Sequence, residues 1–336
     1  MPFFVAVPTR VRWPKREKVG FVLVIVAPGQ GAQTPGFLAP WLEVDGVADR
    51  LRWWSAVAGL DLVHYGTEAD AETIKDTAVA QPLLVAAGMA AAGALHADPS
   101  SQRYRVGAVA GHSVGEITAA AFAGVLRPEQ AMAFVRQRGL AMAGAAAETA
   151  TGMCAVLGGD PDEVAAKIAE HGLTAANNNG GGQIVAAGTL EQLDAFKADP
   201  PAKARVISLA VAGAFHTRHM AAGVERLSLI APGISVGDPE IAYVSNADGK
   251  TVDGGAEVLS RLVSQVSNPV RWDLCMEALE RLGATCVIEV PPAGTLTNLV
   301  KRNLKGVATL ALKTPDDLDK ARELIAEHAA PEGTTE

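Results

Sequence analysis

Residues 106–124 read VGAVAGHSVGEITAAAFAG, in which an apolar run meets Gly-His-Ser-Val-Gly and a stretch of small residues follows at once. The pattern predicts a buried strand over Val106–Ala110, a turn at Ser113 and a helix over Val114–Ala123. Glycine on both sides permits a tight turn that lifts the serine hydroxyl clear of the backbone, and the helix N-terminus directs free N–H groups toward developing negative charge. Glycine-rich turns with serine also occur without any chemistry, but this strand-turn-helix context favours Ser113 as a nucleophile.

The composition narrows the class of protein. The chain has 336 residues, 49% of them hydrophobic, and a net charge of -8. Such a chain forms one large or two moderate domains with a sizeable core. The negative charge argues against a nucleic-acid-binding protein, and no apolar run approaches the roughly 18 residues of a membrane-spanning helix. Three cysteines without paired spacing, and histidines outside any metal-binding pattern, indicate a cytoplasmic protein with reduced thiols, no metal and no cofactor.

The order of predicted elements indicates an α/β fold. The run FVLVIVAPGQGAQ (Phe21–Gln33) predicts a buried parallel strand, and further strands are expected at Ile241–Val244, Cys286–Val290 and Val307–Leu312. Between them, residues 152–210 alternate in the order β-α-β-β-α-β, which is the ferredoxin-like signature.

These elements predict two domains. A large α/β-hydrolase-like domain with a parallel sheet comprises residues 21–149 and 213–330, and a small ferredoxin-like domain is inserted at 150–212. We expect residues 1–20, a short apolar stretch followed by charges, to be a disordered extension, and residues 331–336 to be a loose tail.

A serine nucleophile needs a base. His216, in VAGAFHTRHM, lies where the chain re-enters the large domain, and His219 is a nearby competitor. His112 adjoins the serine, but neighbours on a turn point apart, so it is a poor candidate for the base. The acids between Ser113 and His216 fall at helix ends or on the surface of the small domain: Asp160, Asp162, Asp194 and Asp199. A backbone or amide carbonyl is therefore the alternative group to hold the imidazole.

An arginine falls on an otherwise apolar helix face. In EQAMAFVRQRGLAMAGA, the apolar residues at 131, 134, 135 and 142 share one face with Arg138, whereas Arg136 falls elsewhere. A buried guanidinium is costly unless it is paired. Three interpretations stay open: an ion pair with a protein carboxylate, a stem that reaches the edge of the core, and a bidentate grip on a substrate carboxylate.

Six segments occur in order along the chain: PGQGAQ, GHSVGE, RQRG, NNNGGGQIVAAG, GAFHTRHM and QVSNPVRW. Together they resemble the malonyl-CoA:acyl carrier protein transacylase family, to which the acyltransferase domains of fatty-acid and polyketide synthases are related. The resemblance covers about residues 21–327. One departure is Pro291 in EVPPAGTLTNL, which stands where the family has glycine and puts only the local loop geometry in doubt.

The resemblance implies a role for each matching residue. Ser113 would carry the acyl group, and His216 would be the base, held by the main-chain carbonyl of Gln265. Arg138 would pair with the malonyl carboxylate. The oxyanion hole would consist of the backbone N–H groups of Gln30 and Val114. Five further residues are expected to border the substrate: Gln81, His112, Phe215, Asn177 and Asn179. The phenylalanine would favour malonyl over a branched acyl group.

The implied function is transfer of a malonyl group from malonyl-CoA to the phosphopantetheine thiol of acyl carrier protein, for fatty-acid or polyketide synthesis, by a monomer. Carrier proteins are acidic, so a basic rim is expected, with Lys301, Arg302 and Lys305 as one candidate and Arg218 as another. Two alternatives stay open: a serine hydrolase that uses the same Ser-His pair with water, and a non-catalytic module that docks a carrier protein.

Overall fold

The structure, a computed structural model, describes residues 22–96 and 104–331, so the extension expected at 1–20 lies outside the described residues. Its strands are β1 (Leu23–Ala27), β2 (Tyr104–Arg105), β3 (Ala108–Gly111), β4 (Thr151–Gly158), β5 (Thr174–Asn178), β6 (Gln183–Thr189), β7 (Ala204–Ser208), β8 (Ala242–Val244), β9 (Thr251–Val252), β10 (Val270–Arg271), β11 (Cys286–Glu289), β12 (Ala308–Ala311) and β13 (Ala330–Pro331). Its α-helices are α1 (Val47–Ala58), α2 (Leu62–Thr67), α3 (Thr77–His96), α4 (Gly115–Phe122), α5 (Pro128–Glu148), α6 (Pro161–Glu170), α7 (Leu190–Ala198), α8 (Ala221–Ile230), α9 (Gly255–Ser264), α10 (Trp272–Arg281), α11 (Thr295–Asn303) and α12 (Leu318–His328).

The large sheet has the strand order β12-β11-β1-β3-β8-β9. Its strands run parallel except β9, which pairs with β8 in the antiparallel direction at the edge. Every residue of β1 is buried, because helices cover both faces of the sheet. Leu23 and Ile25 pack into the cluster that includes α3 and α5, whereas Val24 and Val26 pack against α10 and α11. The continuous apolar run before Pro-Gly therefore forms a central parallel strand, β1, as the sequence predicted.

The second sheet has the order β10-β5-β6-β4-β7. Strands β4 to β7 alternate with α6 and α7, and their arrangement is the ferredoxin-like one expected from the sequence. The short strand β10 adds to the edge in parallel with β5, through Val270 opposite Asn177. Because β10 lies outside residues 150–212, one part of the predicted large domain completes the sheet of the small one, and the domain bounds themselves stay a prediction.

Two further expectations concern the C-terminal tail and the longest apolar run. Pro331, expected in the loose tail, instead pairs with Tyr104 in a short antiparallel ladder. The helix α3 is long and apolar enough over Thr77–Leu95 to cross a membrane by length and composition, but 89% of that window is buried inside the protein. It is therefore placed as the core helix of a folded domain.

The turn that carries Pro291 connects β11 with α11, and the Pro291–Pro292 peptide bond is cis. The fully buried carboxylate of Glu289 accepts hydrogen bonds from the backbone N–H groups of Gly294, Leu296 and Thr297 at 2.8–2.9 Å. These bonds satisfy free donors at the helix start, so α11 begins well capped despite the proline.

The carboxyl ends of β1, β3 and β8 lie side by side at one edge of the large sheet, because the three strands are parallel neighbours. The Pro-Gly-Gln-Gly loop follows β1, the serine turn follows β3, and Ser245 and Asn246 follow β8. In open parallel sheets ligands bind at this edge, and the candidate site is built there.

Candidate active site

The serine turn has the geometry of a nucleophile elbow. Ser113 lies between β3 and α4 with φ at 53°, in the left-handed region that glycine prefers. A side chain on Gly111 would overlap the backbone of Gly115, and one on Gly115 would overlap the carbonyl oxygen of Ala27. Both glycines are therefore required by the close approach of α4 to the strands, which explains the spacing of the motif.

The side chain of Asn246 holds the turn from the neighbouring strand. Its Oδ1 accepts the backbone N–H of Ser113 at 2.8 Å, and its Nδ2 donates to the carbonyl oxygen of Gly111 at 2.6 Å. Asn246 is fully buried. The two bonds satisfy backbone groups that the sharp turn removes from the strand and helix ladders.

His216 lies beside the nucleophile. Its Nε2 is 2.7 Å from Ser113 Oγ, and its Nδ1 is 2.8 Å from the main-chain oxygen of Gln265. A carbonyl oxygen only accepts, so Nδ1 carries the hydrogen and Nε2 is free to accept the serine proton. Burial, followed by the charge of Arg138, lowers the pKa of His216 to about 3, which keeps the imidazole neutral at pH 7. His216, like Ser113, has a left-handed backbone, with φ at 61°.

The competing groups lie elsewhere. His219 makes no contact with Ser113; its backbone N–H donates to Thr217 Oγ1. Asp160 caps α6, and Asp194 and Asp199 form ion pairs with lysines of the small sheet's helices. No described carboxylate contacts His216, so the imidazole is oriented by a carbonyl, as the missing acid in the sequence indicated.

Arg138 is 1% exposed, and its guanidinium is held by amides. Nη1 donates to Gln81 Oε1 and Nη2 to Gln265 Oε1, both at 2.7 Å, and Nη2 also lies 3.3 Å from Ser113 Oγ. Among the described residues no carboxylate comes within 4 Å of it, which rules out the structural ion pair there. Burial lowers the pKa of Arg138 to about 10, so the group stays charged at pH 7. A buried cation whose partners are neutral retains its attraction for an incoming anion.

The two backbone groups expected in the oxyanion hole are free. Gln30 follows β1 and Val114 precedes α4, at the ends of adjacent strands. Neither backbone N–H has a hydrogen-bond acceptor among residues 22–96 and 104–331. The side chain of Gln30 is anchored away, through Nε2 to the main-chain oxygen of Lys75 at 3.0 Å. Unpartnered backbone N–H groups of this kind can stabilise a tetrahedral oxyanion, so their role in an oxyanion hole stays a prediction.

The remaining predicted residues differ in how they are connected to this centre, and their contact with a substrate stays a prediction. His112 Nε2 is 2.9 Å from Asn179 Oδ1, a bond that links the turn after β3 of the large sheet to the loop after β5 of the second sheet. Burial lowers the pKa of His112, so it too stays neutral. Gln81 connects Arg138 to Met142 through its amide. Asn177 is buried, and Phe215 packs into the core directly before His216.

Two buried groups of the site were not assigned from the sequence. Besides Asn246, the carboxyl of Glu116 lies beneath the serine turn, 1% exposed. It accepts from the backbone N–H of Asn246 at 2.6 Å and from Gln265 Nε2. Gln265 Nε2 also donates to the main-chain oxygen of Ser113 at 3.0 Å. Two signals were present: a glutamate in the first turn of an otherwise apolar helix, and Ser-Asn directly after a buried strand.

A nucleophilic serine, a neutral imidazole and free backbone donors form a site for acyl transfer through a covalent serine ester. Residues 24–326 match the family model described as acyl transferase domain, and the chain belongs to that family. Malonyl CoA-acyl carrier protein transacylases of Mycobacterium bovis and Mycobacterium tuberculosis are 48% identical over 306 residues, which is 90% of this chain and 100% of theirs.

Solved structures agree with this membership. The crystal structure of MCAT from Mycobacterium tuberculosis is similar with a TM-score of 0.87 and 48% identity, over 90% of this chain and 99% of that one. A malonyl-transacylase solved in complex with its type II PKS acyl-carrier protein is similar with a TM-score of 0.82 and 30% identity, over 90% and 99%. The large and small sheets of the described chain are thus those of this enzyme family.

Proposed function

We propose that this protein transfers the malonyl group of malonyl-CoA to the phosphopantetheine thiol of an acyl carrier protein, through a malonyl ester on Ser113. The observation that carries the proposal is the buried charge of Arg138, which lies 3.3 Å from the Ser113 hydroxyl and has no carboxylate of the described residues within 4 Å. The names of the relatives, malonyl CoA-acyl carrier protein transacylase, support the same substrates.

In the first half-reaction, Ser113 Oγ attacks the thioester carbonyl as its proton passes to His216 Nε2. The hydrogen bond from Nδ1 to the Gln265 carbonyl holds the ring in place and stabilises the imidazolium that forms. The N–H groups of Gln30 and Val114 receive the oxyanion. The tetrahedral intermediate collapses, the proton goes to the coenzyme A sulfur, and the thiol leaves.

In the second half-reaction, the carrier protein's thiol enters the same cleft and loses its proton to His216. The thiolate attacks the malonyl ester, and Ser113 leaves with the proton returned by the imidazolium. Throughout, Arg138 holds the malonyl carboxylate in bidentate fashion, which fixes the carbonyl against the nucleophile. A group without a carboxylate gains nothing from this charge, so the site favours malonyl over acetyl.

The surroundings of this reaction follow from the same proposal. The malonyl-carrier protein that is formed supplies fatty-acid synthesis, with polyketide synthesis as the second candidate. The enzyme acts in the cytoplasm as a monomer. An acidic carrier protein would meet the exposed basic residues at and just after the end of α11, Lys301, Arg302 and Lys305, or the exposed Arg218 near His216.

Intact-mass spectrometry tests the proposal. Wild type mixed briefly with malonyl-CoA should gain one malonyl group and lose it to holo carrier protein. Ser113→Ala should gain nothing, and His216→Ala should acylate far more slowly, whereas His219→Ala should match wild type because His219 does not contact the serine. Accumulation of free malonate without acylated carrier protein would establish a hydrolase, and no acyl-enzyme at all would establish a docking module.

A further inference from the structure

The charges of the site are separated by one amide. Arg138 donates to Gln265 Oε1, and the other end of the same amide, Nε2, donates to the Glu116 carboxyl. Glu116 has no described lysine or arginine nitrogen within 4 Å. A guanidinium, a neutral amide and a carboxyl thus form one buried chain of hydrogen bonds. When Glu116 is ionised, the pair Arg138–Glu116 is electrically neutral.

A bound malonyl group disturbs this balance, because its carboxylate is a second anion for one buried cation. Two anions that share a site raise each other's pKa, since in a low-dielectric interior like charges are poorly screened. The malonyl carboxylate is the stronger acid and contacts the guanidinium directly. Glu116 is the anion that remains without a direct cationic partner.

We propose that Glu116 is the counter-charge of Arg138 and takes up a proton from solvent when the malonyl carboxylate binds. This inference rests on the proposed function, and it makes Glu116 a positioning residue that acts through Gln265 and Arg138. Uptake restores neutrality: one anion and one proton enter together. A thioester without a carboxylate brings no charge and takes up no proton at Glu116.

The structure offers a place for the proton. Both carboxyl oxygens of Glu116 accept hydrogen bonds in the ionised form, from Asn246 and Gln265. The fully buried hydroxyl of Tyr243 faces the same carboxyl and forms no hydrogen bond with any of the described residues. On protonation, this unpartnered oxygen is available to accept from the new O–H of Glu116.

Among the described residues, no other group that faces Glu116 or its partners titrates close to pH 7. The titratable side chains that face it or its partners are Arg138, His216, Tyr243, Cys275 and, beyond the tyrosine, Arg261. Burial raises the pKa of Tyr243 and of Cys275 well above their ordinary values, so both stay neutral. Arg261 is paired with Asp248 and Glu257 and stays charged. Burial raises the pKa of Glu116 itself to about 7, against the hydrogen bonds from Asn246 and Gln265.

The sign of the effect follows from linkage. Binding that takes up a proton weakens as the pH rises through the pKa of the free carboxyl, by at most about tenfold per pH unit. At pH 7.5, a group with a pKa of about 7 is roughly three-quarters ionised, so binding takes up at most about three-quarters of a proton.

Titration calorimetry of the Ser113→Ala protein, which cannot be acylated, measures this uptake. Malonyl-CoA is titrated at pH 7.5 in two buffers of very different ionisation enthalpy, and the difference in observed heat gives the protons bound. Acetyl-CoA is the matched ligand, because it carries the same coenzyme phosphates without the carboxylate. We expect malonyl-CoA to take up about half a proton more than acetyl-CoA, and the excess to vanish when Glu116→Gln is added.

The results of the calorimetry distinguish a failure of the Glu116 proposal from a failure of the proposed function. Tighter binding of malonyl-CoA with no excess uptake, or an excess that persists in Glu116→Gln, overturns the role of Glu116 and leaves the proposed function intact. Binding of malonyl-CoA no tighter than acetyl-CoA overturns the proposed function itself. Should Glu116→Gln fail to fold, the infrared difference spectrum of the Ser113→Ala protein replaces it: a new protonated-carboxyl band with malonyl-CoA, and none with acetyl-CoA, supports the proposal, and its absence refutes it.

Discussion

Replacing Arg138 by alanine should convert a malonyl-selective site into one that hardly distinguishes malonyl from acetyl. The guanidinium is 1% exposed and makes its bonds to two amide oxygens and the serine hydroxyl. A substrate carboxylate that meets it forms charge-assisted hydrogen bonds in a site that water does not screen. Such bonds contribute about 1.5–3 kcal/mol each.

The size of the loss follows from that contribution. Part of the gain from a bidentate pair is offset by desolvation of the carboxylate, which leaves about 2–4 kcal/mol. At 1.36 kcal/mol per factor of ten, kcat/KM for malonyl-CoA should fall about 30- to 1000-fold in Arg138→Ala. For acetyl-CoA the fall should stay within about tenfold, because only the freed oxygens of Gln81 and Gln265 affect it.

The assay compares kcat/KM for the two thioesters, with holo carrier protein as acceptor. Arg136→Ala is the matched control: Arg136 lies two residues away and donates to the main-chain oxygen of Ala78 at 2.7 Å, away from the serine. It should keep the malonyl preference within about threefold, since its hydrogen bond to Ala78 involves no group of the candidate site. An equal fall for both thioesters in Arg138→Ala would refute the reasoning, because it would make Arg138 a purely structural residue.

Three further changes test the site's construction. Gly115→Ala places a methyl group against the carbonyl of Ala27 and should lower the free energy of unfolding, measured by urea denaturation, by about 3 kcal/mol or more. The control is Gly144→Ala, at an exposed position of α5 with nothing within 4 Å, which should raise the free energy of unfolding by up to about 1 kcal/mol. Equal effects of the two substitutions would contradict the packing argument. Asn246→Ala leaves the Ser113 N–H and the Gly111 carbonyl unpaired, so it should lower the free energy of unfolding by about 2–4 kcal/mol and slow acylation in a burst assay. An unchanged burst would show that the serine turn keeps its geometry without Asn246. Because the pKa of His216 is about 3, labelling of Ser113 by a neutral fluorophosphonate should change less than about threefold from pH 8 to pH 5; a base of ordinary pKa would lose about 30-fold, and such a loss would contradict the buried neutral imidazole.

Much of the site could be predicted because its parts carry local signals. The elbow is a contiguous motif, and the structure places Ser113 between strand and helix as the sequence indicated. Arg138 stood out as a polar residue on an apolar face. The structure places amide oxygens of Gln81 and Gln265 against it, which argues against the ion pair, and its grip on a substrate carboxylate stays a prediction. The carbonyl of Gln265 at His216 was implied only by the resemblance, and its contact is present.

What the sequence did not indicate depends on contacts between distant segments. The bonds of Asn246 and Gln265 to the serine turn join residues more than a hundred positions apart, and no periodicity records them. Glu116 appeared in the quoted motif, but a glutamate in a first helical turn is ordinarily a solvated residue that favours the helix dipole. The two-residue strand β10 is too short for any pattern of alternation, so its addition to the small sheet was not predicted.

Ser113 and His216 both hold a backbone conformation that glycine adopts freely and other residues adopt at a cost of about 1–3 kcal/mol each. Together they take up a sizeable part of the 5–15 kcal/mol by which a folded protein is ordinarily stable. Directed evolution or sequence design that selects for thermal stability alone would therefore favour glycine at both positions and give a more stable protein without acyl-transfer activity. Selection for a more stable form of this enzyme has to include an assay of acyl transfer in every round, because at these two positions thermal stability and catalytic activity favour different residues.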